Sequence, residues 1–434
     1  MYNLFIGFAG TGLLFLIVIF GAPIMLALTS VGFAGILLMN GFVPSISLLG
    51  TMIYPVVSAF HFSAIPMFLL MGFFAIRAGI GDDLFDACSK WFGRLPGGLA
   101  LASTGATAAF GAASGSSVGT ATLFTKLALP EMIQRGYDRG FAAASIAIAG
   151  TLAVLIPPSA LVVIYGILTN SAIGKLLIAG ILPGVIFATL LAFTVLSIAF
   201  LSPHKAPASD QRFSWKERLW SLRMIGPLAI VIFIMLGGLY AGVFTPTESG
   251  AVGAFATFIM AILRCGPRNI HLGHALTETV VLTAMIFAII IGGLIFARFL
   301  ALSGVSVFIQ DVLVNGGLDV WVVVTIVTLV YLLIGMLMDA PSLLAISLPI
   351  THPVMMSLGY DPIWFGVFVI VLAEIGAVTP PIGLNCFVVK GAAGNLVKLE
   401  DIFRGLAPFL LTAFLMLGLL LAFPEIVLWL PSQM

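Results

Sequence analysis

Long apolar segments dominate the chain, and short stretches that contain its turns and most of its charges separate them. In the first half these segments fall at about 2–20, 24–40, 51–76, 140–168 and 176–200, and counterparts follow in the second half. A transmembrane helix needs about 20 apolar residues, and a helix satisfies its own backbone hydrogen bonds in lipid. The pattern therefore predicts an all-α, polytopic membrane protein.

The two halves of the chain repeat one pattern. Residues 136–138 read GYD and residues 157–158 read PP, and the same letters recur in the same order at 359–361 and 380–381. The same shift in numbering takes positions of the first half to their counterparts in the second half, as it takes position 136 to position 359. We call this shift the repeat offset. Internal repeats of this size are a feature of many transporters. We predict a first repeat over 1–202, a polar cytoplasmic linker over 203–223 and a second repeat over 224–434.

The placement of positive charge predicts the orientation of the spans. With five spans per repeat and the linker in the cytoplasm, every one of the 18 Lys and Arg residues except Lys175 and Arg298 falls on the cytoplasmic side, as the positive-inside rule requires. An odd number of spans inverts the second repeat and places both termini in the periplasm. Inverted repeats are typical of secondary transporters; channels and membrane enzymes use them less often.

Composition narrows the class of protein further. Hydrophobic residues make up 61% of the 434 residues and charged residues only 8%, whereas a soluble domain has roughly 25% charged residues. These values exclude a water-soluble enzyme, a nucleic-acid-binding protein and a disordered chain. The three cysteines form no CxxC motif, and no GxxxxGK[ST] phosphate loop occurs, so we expect neither a disulfide framework nor ATP chemistry.

Residues 102–122 differ from an ordinary span, because all of them except Phe110 and Val118 are Gly, Ala, Ser or Thr. Small residues permit tight helix packing but offer lipid little apolar surface. We predict a re-entrant hairpin over about 95–128 with its tip near Gly111–Ser117. Tight packing of one continuous helix is the alternative.

The repeat offset places a counterpart hairpin over about 318–350, with the tip sequence GMLMDAPS. In this hairpin Asp339 takes the position that Ser116 has in the first. A carboxylate among apolar membrane residues is costly and by default functional. We therefore predict Asp339 as an ion ligand and, with Ser116, as a substrate contact. An aspartate at a simple loop tip is the alternative.

Each double proline interrupts a long apolar helix, predicted over 140–168 and 363–390. Proline removes a backbone donor and clashes with the carbonyl four residues earlier, and in lipid the freed carbonyls need a partner. Unwound carbonyls and half-helix ends coordinate Na⁺ in broken-helix transporters, although a simple kink is the alternative. The side-chain oxygens available near the breaks are those of Thr151, Ser159, Thr379 and Asn385.

Two further charged residues belong to the candidate site. Arg298 lies at the predicted periplasmic end of a span, against the charge rule, and is the candidate partner for an anionic substrate; snorkelling to the interface is the alternative. Glu374 precedes the second double proline by six residues. It is either a coupling carboxylate or a polar contact between helices, and both interpretations stay open.

Four stretches carry a recognisable combination of these motifs. They read ASGSSVGTATLFTKLALPEMIQRGYDRGFAAASIAIAGTLAVLIPPSALVVIYG, AGVFTPTESGAV, IGMLMDAPSLLAISLPI and TPPIGLNCFV. Together they resemble the large membrane (M) subunit of tripartite ATP-independent periplasmic (TRAP) transporters, over nearly the whole chain. The resemblance implies an elevator-type permease in the inner membrane of a bacterium or archaeon. It implies Na⁺-driven import of an organic acid anion, such as a C4-dicarboxylate or a sialic acid.

The same resemblance implies partners and ligands. The protein partners are a small four-helix membrane subunit (Q) and a periplasmic substrate-binding protein (P). The chain lies in the lipid bilayer, and no nucleic acid is expected as a partner. The family's sodium sites, two or more, lie at the hairpin tips and the adjoining helix breaks. On this chain the implied Na⁺ ligands are Ser114, Ser116, Ser117, Thr151, Pro157, Ser159, Gly335, Asp339, Thr379, Pro380 and Asn385.

Two alternatives come from other classes of protein. A stand-alone Na⁺/carboxylate symporter of similar design would need neither a binding protein nor a second membrane chain, so co-purification distinguishes it. A membrane enzyme would need a nucleophile with a base or a metal cluster, and the sequence suggests none.

Overall fold

A computed structural model describes residues 1–208 and 213–434, which form helices and connecting turns without a β-strand. The α-helices of the first half are α1 (Tyr2–Ile19), α2 (Ile24–Asn40), α3 (Phe42–Ser58), α4 (Ala64–Arg77), α5 (Ile80–Phe92), α6 (Gly98–Ser114), α7 (Ser117–Gln134), α8 (Arg139–Leu155), α9 (Ala160–Thr169), α10 (Ile173–Ala179) and α11 (Ile181–Leu201). Those of the second half are α12 (Trp215–Tyr240), α13 (Pro246–Cys265), α14 (Leu272–Ser303), α15 (Val305–Gln310), α16 (Val320–Gly335), α17 (Ala340–Ser357), α18 (Pro362–Gly376), α19 (Leu384–Ala393), α20 (Leu399–Ala422) and α21 (Glu425–Leu428). Short 3₁₀ segments occur at Phe60–Ser63, Gly394–Leu396 and Pro431–Gln433, and a π-helical turn at Asp311–Asn315.

By length and composition alone, fewer helices than the ten predicted spans could cross a bilayer, and the number of spans stays a prediction. Within the described residues, seven helices are long and apolar enough to cross a bilayer, or eight if α8 and α9 count as one bent span. The two predicted spans missing from this count are α2, which has only 17 residues, and the broken pair α18 and α19. The chain is therefore an all-helical, multi-pass membrane protein.

The helix bounds of the two halves correspond under the repeat offset. The bounds of α7 become those of α17, and α2, α6 and α8 correspond to α13, α16 and α18 within two residues at each end. The halves also differ: α3 and α4 are separate helices, whereas their counterpart, α14, is one helix of 32 residues. Likewise α10 and α11 are separate, whereas α20 is one helix. The inverted orientation of the two repeats stays a prediction.

The polar linker is shorter than the predicted 203–223. Helix α12 begins at Trp215 because Ser214 and Glu217 form a capping box. The Glu217 amide donates to Ser214 Oγ (3.3 Å) and the Ser214 amide donates to Glu217 Oε2 (2.7 Å). Residues 209–212 of the predicted linker lie outside the described residues.

Helices α6 and α7 form the first hairpin, with the chain reversal at Gly115 and Ser116. The rings of Phe110 and Phe124 lie 5.9 Å apart, whereas one continuous helix would separate residues 14 positions apart by about 21 Å. The tip lies within the predicted range. The second arm ends at Gln134 rather than at 128, because a helix stop comes only at Gly136 (φ +81°).

Helices α16 and α17 form the second hairpin. The Tyr331 and Thr351 hydroxyl groups, 20 residues apart in sequence, are 2.9 Å apart, against about 30 Å along a continuous helix. This hairpin ends at Ser357 rather than at the predicted 350, just before Gly359 (φ +84°). The chain thus reverses where the small-residue segment and its counterpart lie.

Both predicted broken helices are interrupted at their double prolines. Helices α8 and α9 meet at 49°, and seven residues separate the end of α18 from the start of α19. The peptide bonds Pro157–Pro158 and Pro380–Pro381 are both cis. Helices α8 and α18 therefore end inside the helical core, and α9 and α19 start there.

Close packing of the first hairpin against α8 gives a prediction about stability. A Cβ at Gly111 would lie 2.5 Å from the Cα of Ala153, whereas a Cβ at Gly105 of the same helix would lie 3.6 Å from its nearest neighbour. We expect Gly111→Ala to lower the thermal unfolding midpoint, because overpacking costs about 1–3 kcal/mol. Gly105→Ala should leave it unchanged or raise it, because alanine favours helix by about 1 kcal/mol. Equal midpoints for the two variants in the same detergent would contradict this account of the packing.

Candidate substrate and ion site

A cavity of about 430 Å³ lies where the two hairpin tips and the two helix breaks meet. The hairpin tips contribute Ser114 to Gly119 and Asp339 to Pro341. The breaks and the end of α18 contribute Ala160, Leu161, Glu374, Ala377, Leu384 and Asn385, and α4 and α14 close the cavity with apolar residues such as Phe73 and Met285. The cavity thus collects residues from both halves of the chain.

Backbone contact places the first hairpin tip against the first break. Gly115 has φ +58°, and a Cβ there would lie 2.8 Å from the carbonyl oxygen of Pro158, so both conformation and space require glycine. Ser114 Oγ and Thr120 Oγ1 lie 2.6 Å apart across the tip. The amide of Gly119 donates to Ser116 Oγ (3.2 Å) and begins α7. The tip is therefore held by its own hydrogen bonds.

Four helix N-termini line the cavity. The first residues of α7, α9, α17 and α19 are all in its wall. The N-terminus of a helix has unpaired amides and about half a positive charge, and such ends are suited to bind anions. Their convergence gives the cavity anion-binding capacity without a basic side chain.

Two carboxylates, Asp339 and Glu374, also line the cavity, and none of the described residues in its wall is Lys, Arg or His. Asp339 is half-buried at the start of α17, without a capping bond from its side chain. Within the described part of the chain it forms no ion pair. A carboxyl group in a low-dielectric site stays ionised only beside a compensating cation. The cavity therefore offers oxygen ligands for a cation beside amide donors for an anion.

Glu374 connects the two halves of the chain. Its side chain is only 2% exposed, and the Ser117 hydroxyl group donates to its Oε1 at 3.2 Å. Its Oε2 makes no hydrogen bond within the described residues. Asn385 lies close enough to influence the carboxylate, but neither of its amide atoms makes a hydrogen bond of good geometry there. Glu374 thus lies in the cavity wall with one carboxylate oxygen unbonded, and both interpretations of its role, coupling carboxylate or helix contact, stay open.

Some of the predicted site residues line the cavity, and the others do not. Ser114, Ser116, Ser117, Asp339 and Asn385 line the cavity. The other predicted ligands do not line it; they are Thr151, Pro157, Ser159, Gly335, Thr379 and Pro380. The hydroxyl groups of Thr151 and Thr379 instead donate to the carbonyls of Ile148 and Ile375, both at 2.6 Å. Ser159 Oγ accepts from the Val162 amide at 3.4 Å and caps α9.

Arg298 does not line this cavity, and its role as the partner of an anionic substrate stays a prediction. Its side chain is on an exposed face of α14, whereas α14 lines the cavity through Leu282, Met285 and Ile286. Twelve residues of helix separate Arg298 from Ile286, a distance of about 18 Å along the axis.

Sequence reasoning missed the four converging helix N-termini. The sequence did contain a signal for two of these helix starts. Ser116 and Ser159, the N-cap residues of α7 and α9, are serines, and serine is a preferred N-cap residue. It also left Glu374 undecided, and the structure places that carboxylate in the cavity wall.

Hairpins and broken helices that meet at a central cavity in a multi-pass helical protein are typical of transporters. Residues 11–426 match the sequence profile of the family described as tripartite ATP-independent periplasmic transporter, DctM component. The chain belongs to this family, the large permease subunits of TRAP transporters. It is thus a transporter subunit and not an enzyme.

Two relatives match this chain over nearly their full length. The chain is 34% identical to the C4-dicarboxylate TRAP transporter large permease protein DctM of Pseudomonas aeruginosa, over 93% of this chain and 94% of that protein. It is 29% identical to the sialic acid TRAP transporter large permease protein SiaM of Vibrio cholerae, over 98% and 97%. The isethionate TRAP transporter permease protein DctMQ of Oleidesulfovibrio alaskensis is longer; the match, at 32% identity, covers 94% of this chain and 63% of that one.

Among solved structures, the fold is similar to that of the Alcanivorax borkumensis YdaH transporter. The TM-score is 0.62 at 13% identity, covering 89% of this chain and 90% of that one. At this identity the similarity concerns the fold alone.

Proposed function

We propose that this large permease subunit couples the inward movement of Na⁺ to the import of an organic acid anion. The observation that supports the proposal is the composition of the cavity, where two carboxylates and several hydroxyl groups lie beside four helix N-termini. Na⁺ is a hard cation suited to oxygen ligands, and broken-helix transporters bind it at such places. The anion would be stabilised by amide groups and by the bound Na⁺ together.

The substrate class follows from the relatives and from the charges of the cavity. Relatives are named for C4-dicarboxylate, sialic acid, 2,3-diketo-L-gulonate and isethionate; the first three are carboxylates and isethionate is a sulfonate, so all four are organic anions. A cavity of about 430 Å³ is large enough for a small acid of this kind. We propose an organic acid anion, such as a C4-dicarboxylate or a sialic acid, that a periplasmic binding protein delivers, with a small membrane subunit as the second partner.

The coupling ion can be tested by reconstitution. Proteoliposomes that contain this chain and the small subunit, with the loaded binding protein outside, should take up substrate only with an inward Na⁺ gradient and without ATP. Omission of the binding protein should stop uptake, which separates a tripartite system from a stand-alone symporter. Full uptake in Na⁺-free buffer with a K⁺ or proton gradient would refute Na⁺ coupling.

Orientation in the inner membrane is part of the proposal. The charge distribution favours a cytoplasmic linker and periplasmic termini. In a background without the three native cysteines, a cysteine at Ala208 and one at Gln433, both exposed, should react with an impermeant maleimide from opposite sides of the membrane. Reaction from the same side would show that the number of spans between them is even.

For the transport step we propose an elevator motion. The hairpins and broken helices would move as one body against a scaffold made of the first two spans of each repeat and the small subunit. The Ser117–Glu374 hydrogen bond supports this division, because it joins a hairpin of one repeat to a broken helix of the other.

A further inference from the structure

A second cavity, of about 810 Å³, lies away from the central site, where the start of α8, the end of α11 and the start of α20 meet. Basic side chains from three separate segments line it: Arg139 of α8, Lys205 after α11 and Arg404 of α20. The charge pattern predicts that this end of the helices faces the cytoplasm.

The charge balance of this second cavity is positive. Asp138 and Asp401 also line it, but Asp138 Oδ1 accepts from the Phe141 amide at 2.8 Å and caps α8. Asp401 lies in the first turn of α20, where it compensates the helix dipole. Within the described residues no ion pair joins Arg139, Lys205 or Arg404 to a carboxylate. Three cations thus face one cavity, and no described carboxylate is paired with any of them.

The two arginines are held at a fixed crossing of helices. Arg139 and Arg404 each precede a glycine, and a Cβ at Gly405 would lie 2.5 Å from the carbonyl oxygen of Gly140. This close backbone contact between α8 and α20 leaves little freedom in the distance between the two arginine Cα atoms. Basic groups that are held in place before binding lose less entropy when they bind an anion.

An apolar surface continues from the cavity along α11 and α20, which pack against each other. Phe200 and Leu201 of α11 are 68% and 84% exposed, and Leu411 of α20 is 74% exposed. Basic groups at one end of an apolar helix pair match a lipid, whose phosphate is at the interface and whose acyl chains are in the core. Basic pockets between helices on the cytoplasmic side bind anionic headgroups.

We propose that this second cavity binds the anionic headgroup of a phospholipid from the cytoplasmic leaflet, with its acyl chains along α11 and α20. Arg139, Lys205 and Arg404 contact the phosphate. Free inorganic phosphate would offer these residues the same anionic group. Only the phospholipid has acyl chains that can lie along α11 and α20, and this difference distinguishes the two ligands.

The test uses the full-length chain in phosphatidylcholine nanodiscs titrated with phosphatidylglycerol, with bound lipid counted by native mass spectrometry. Lys205→Gln/Arg404→Gln should weaken phosphatidylglycerol binding about 25-fold, because each basic residue near a membrane surface contributes about fivefold. The control is Lys126→Gln/Lys216→Gln, which removes the same charge at exposed positions outside the cavity and should leave binding within about twofold of wild type. Equal unfolding midpoints in pure phosphatidylcholine establish that both variants are folded.

Three results would overturn the proposal. The control variant could lose as much binding as the cavity variant, which would mean that surface charge alone attracts the lipid. Phosphatidylcholine could bind as tightly as phosphatidylglycerol, which would exclude recognition of an anionic headgroup. Inorganic phosphate could stabilise the protein as well as phosphatidylglycerol does, which would make the cavity a site for a free anion.

Discussion

Replacing Asp339 by asparagine is expected to abolish or strongly reduce uptake while expression and assembly stay near wild type. Asparagine keeps the shape of the side chain and one oxygen but removes the charge that faces the cavity. No described basic residue lines the cavity, so under the proposed coupling the bound Na⁺ would supply the compensating charge. In any residual activity, the Na⁺ concentration for half-maximal uptake should rise about tenfold or more, equivalent to about 1.4 kcal/mol of lost binding energy.

A matched control for Asp339 lies in the same hairpin. Asp319 is the N-cap of α16, exposed at the other end, and its Oδ1 accepts from the Trp321 amide at 2.8 Å. Asparagine is an equally good N-cap, so Asp319→Asn should transport like wild type. Wild-type uptake with unchanged Na⁺ dependence in Asp339→Asn would show that the Asp339 carboxylate is only structural.

Replacing Glu374 by glutamine is expected to lower uptake about tenfold or more without a comparable loss of stability. Glutamine keeps the volume and an oxygen that accepts the Ser117 hydroxyl group, but it removes the negative charge. If Glu374 balances a bound cation, the loss of charge weakens Na⁺ binding, which isothermal titration calorimetry measures independently of transport.

Ser117→Ala separates the charge of Glu374 from its hydrogen bond. This variant removes the 3.2 Å bond to Oε1 and leaves the carboxylate. We expect a smaller defect than in Glu374→Gln, because a single hydrogen bond to a charged group contributes about 1.5–3 kcal/mol to stability and part of this is recovered from water in the cavity. Should Glu374→Gln bind Na⁺ and transport like wild type, the carboxylate would be a packing contact after all.

The sequence by itself determined the class of the protein and the places where its helices stop. Apolar segments of about 20 residues, small residues at 102–122 and paired prolines act through local physics: transfer to lipid, side-chain volume and loss of a backbone donor. Such effects depend only on neighbours along the chain. The repeat offset then transferred each prediction from one half to the other. The chain reverses at Gly115–Ser116 and again just before Ala340, and helices stop at both double prolines, although both hairpins end beyond their predicted bounds.

Only the tertiary structure decided which polar groups meet. Ser117 and Glu374 are 257 positions apart and share a hydrogen bond, whereas Arg298, equally conspicuous in the sequence, is on an exposed face about 18 Å along its helix from the cavity. The convergence of four helix N-termini was also hidden in the sequence. The reason is physical: a side chain's direction follows from the rotation of its own helix, but what it faces depends on the packing of every other helix around it, and no local pattern encodes that arrangement.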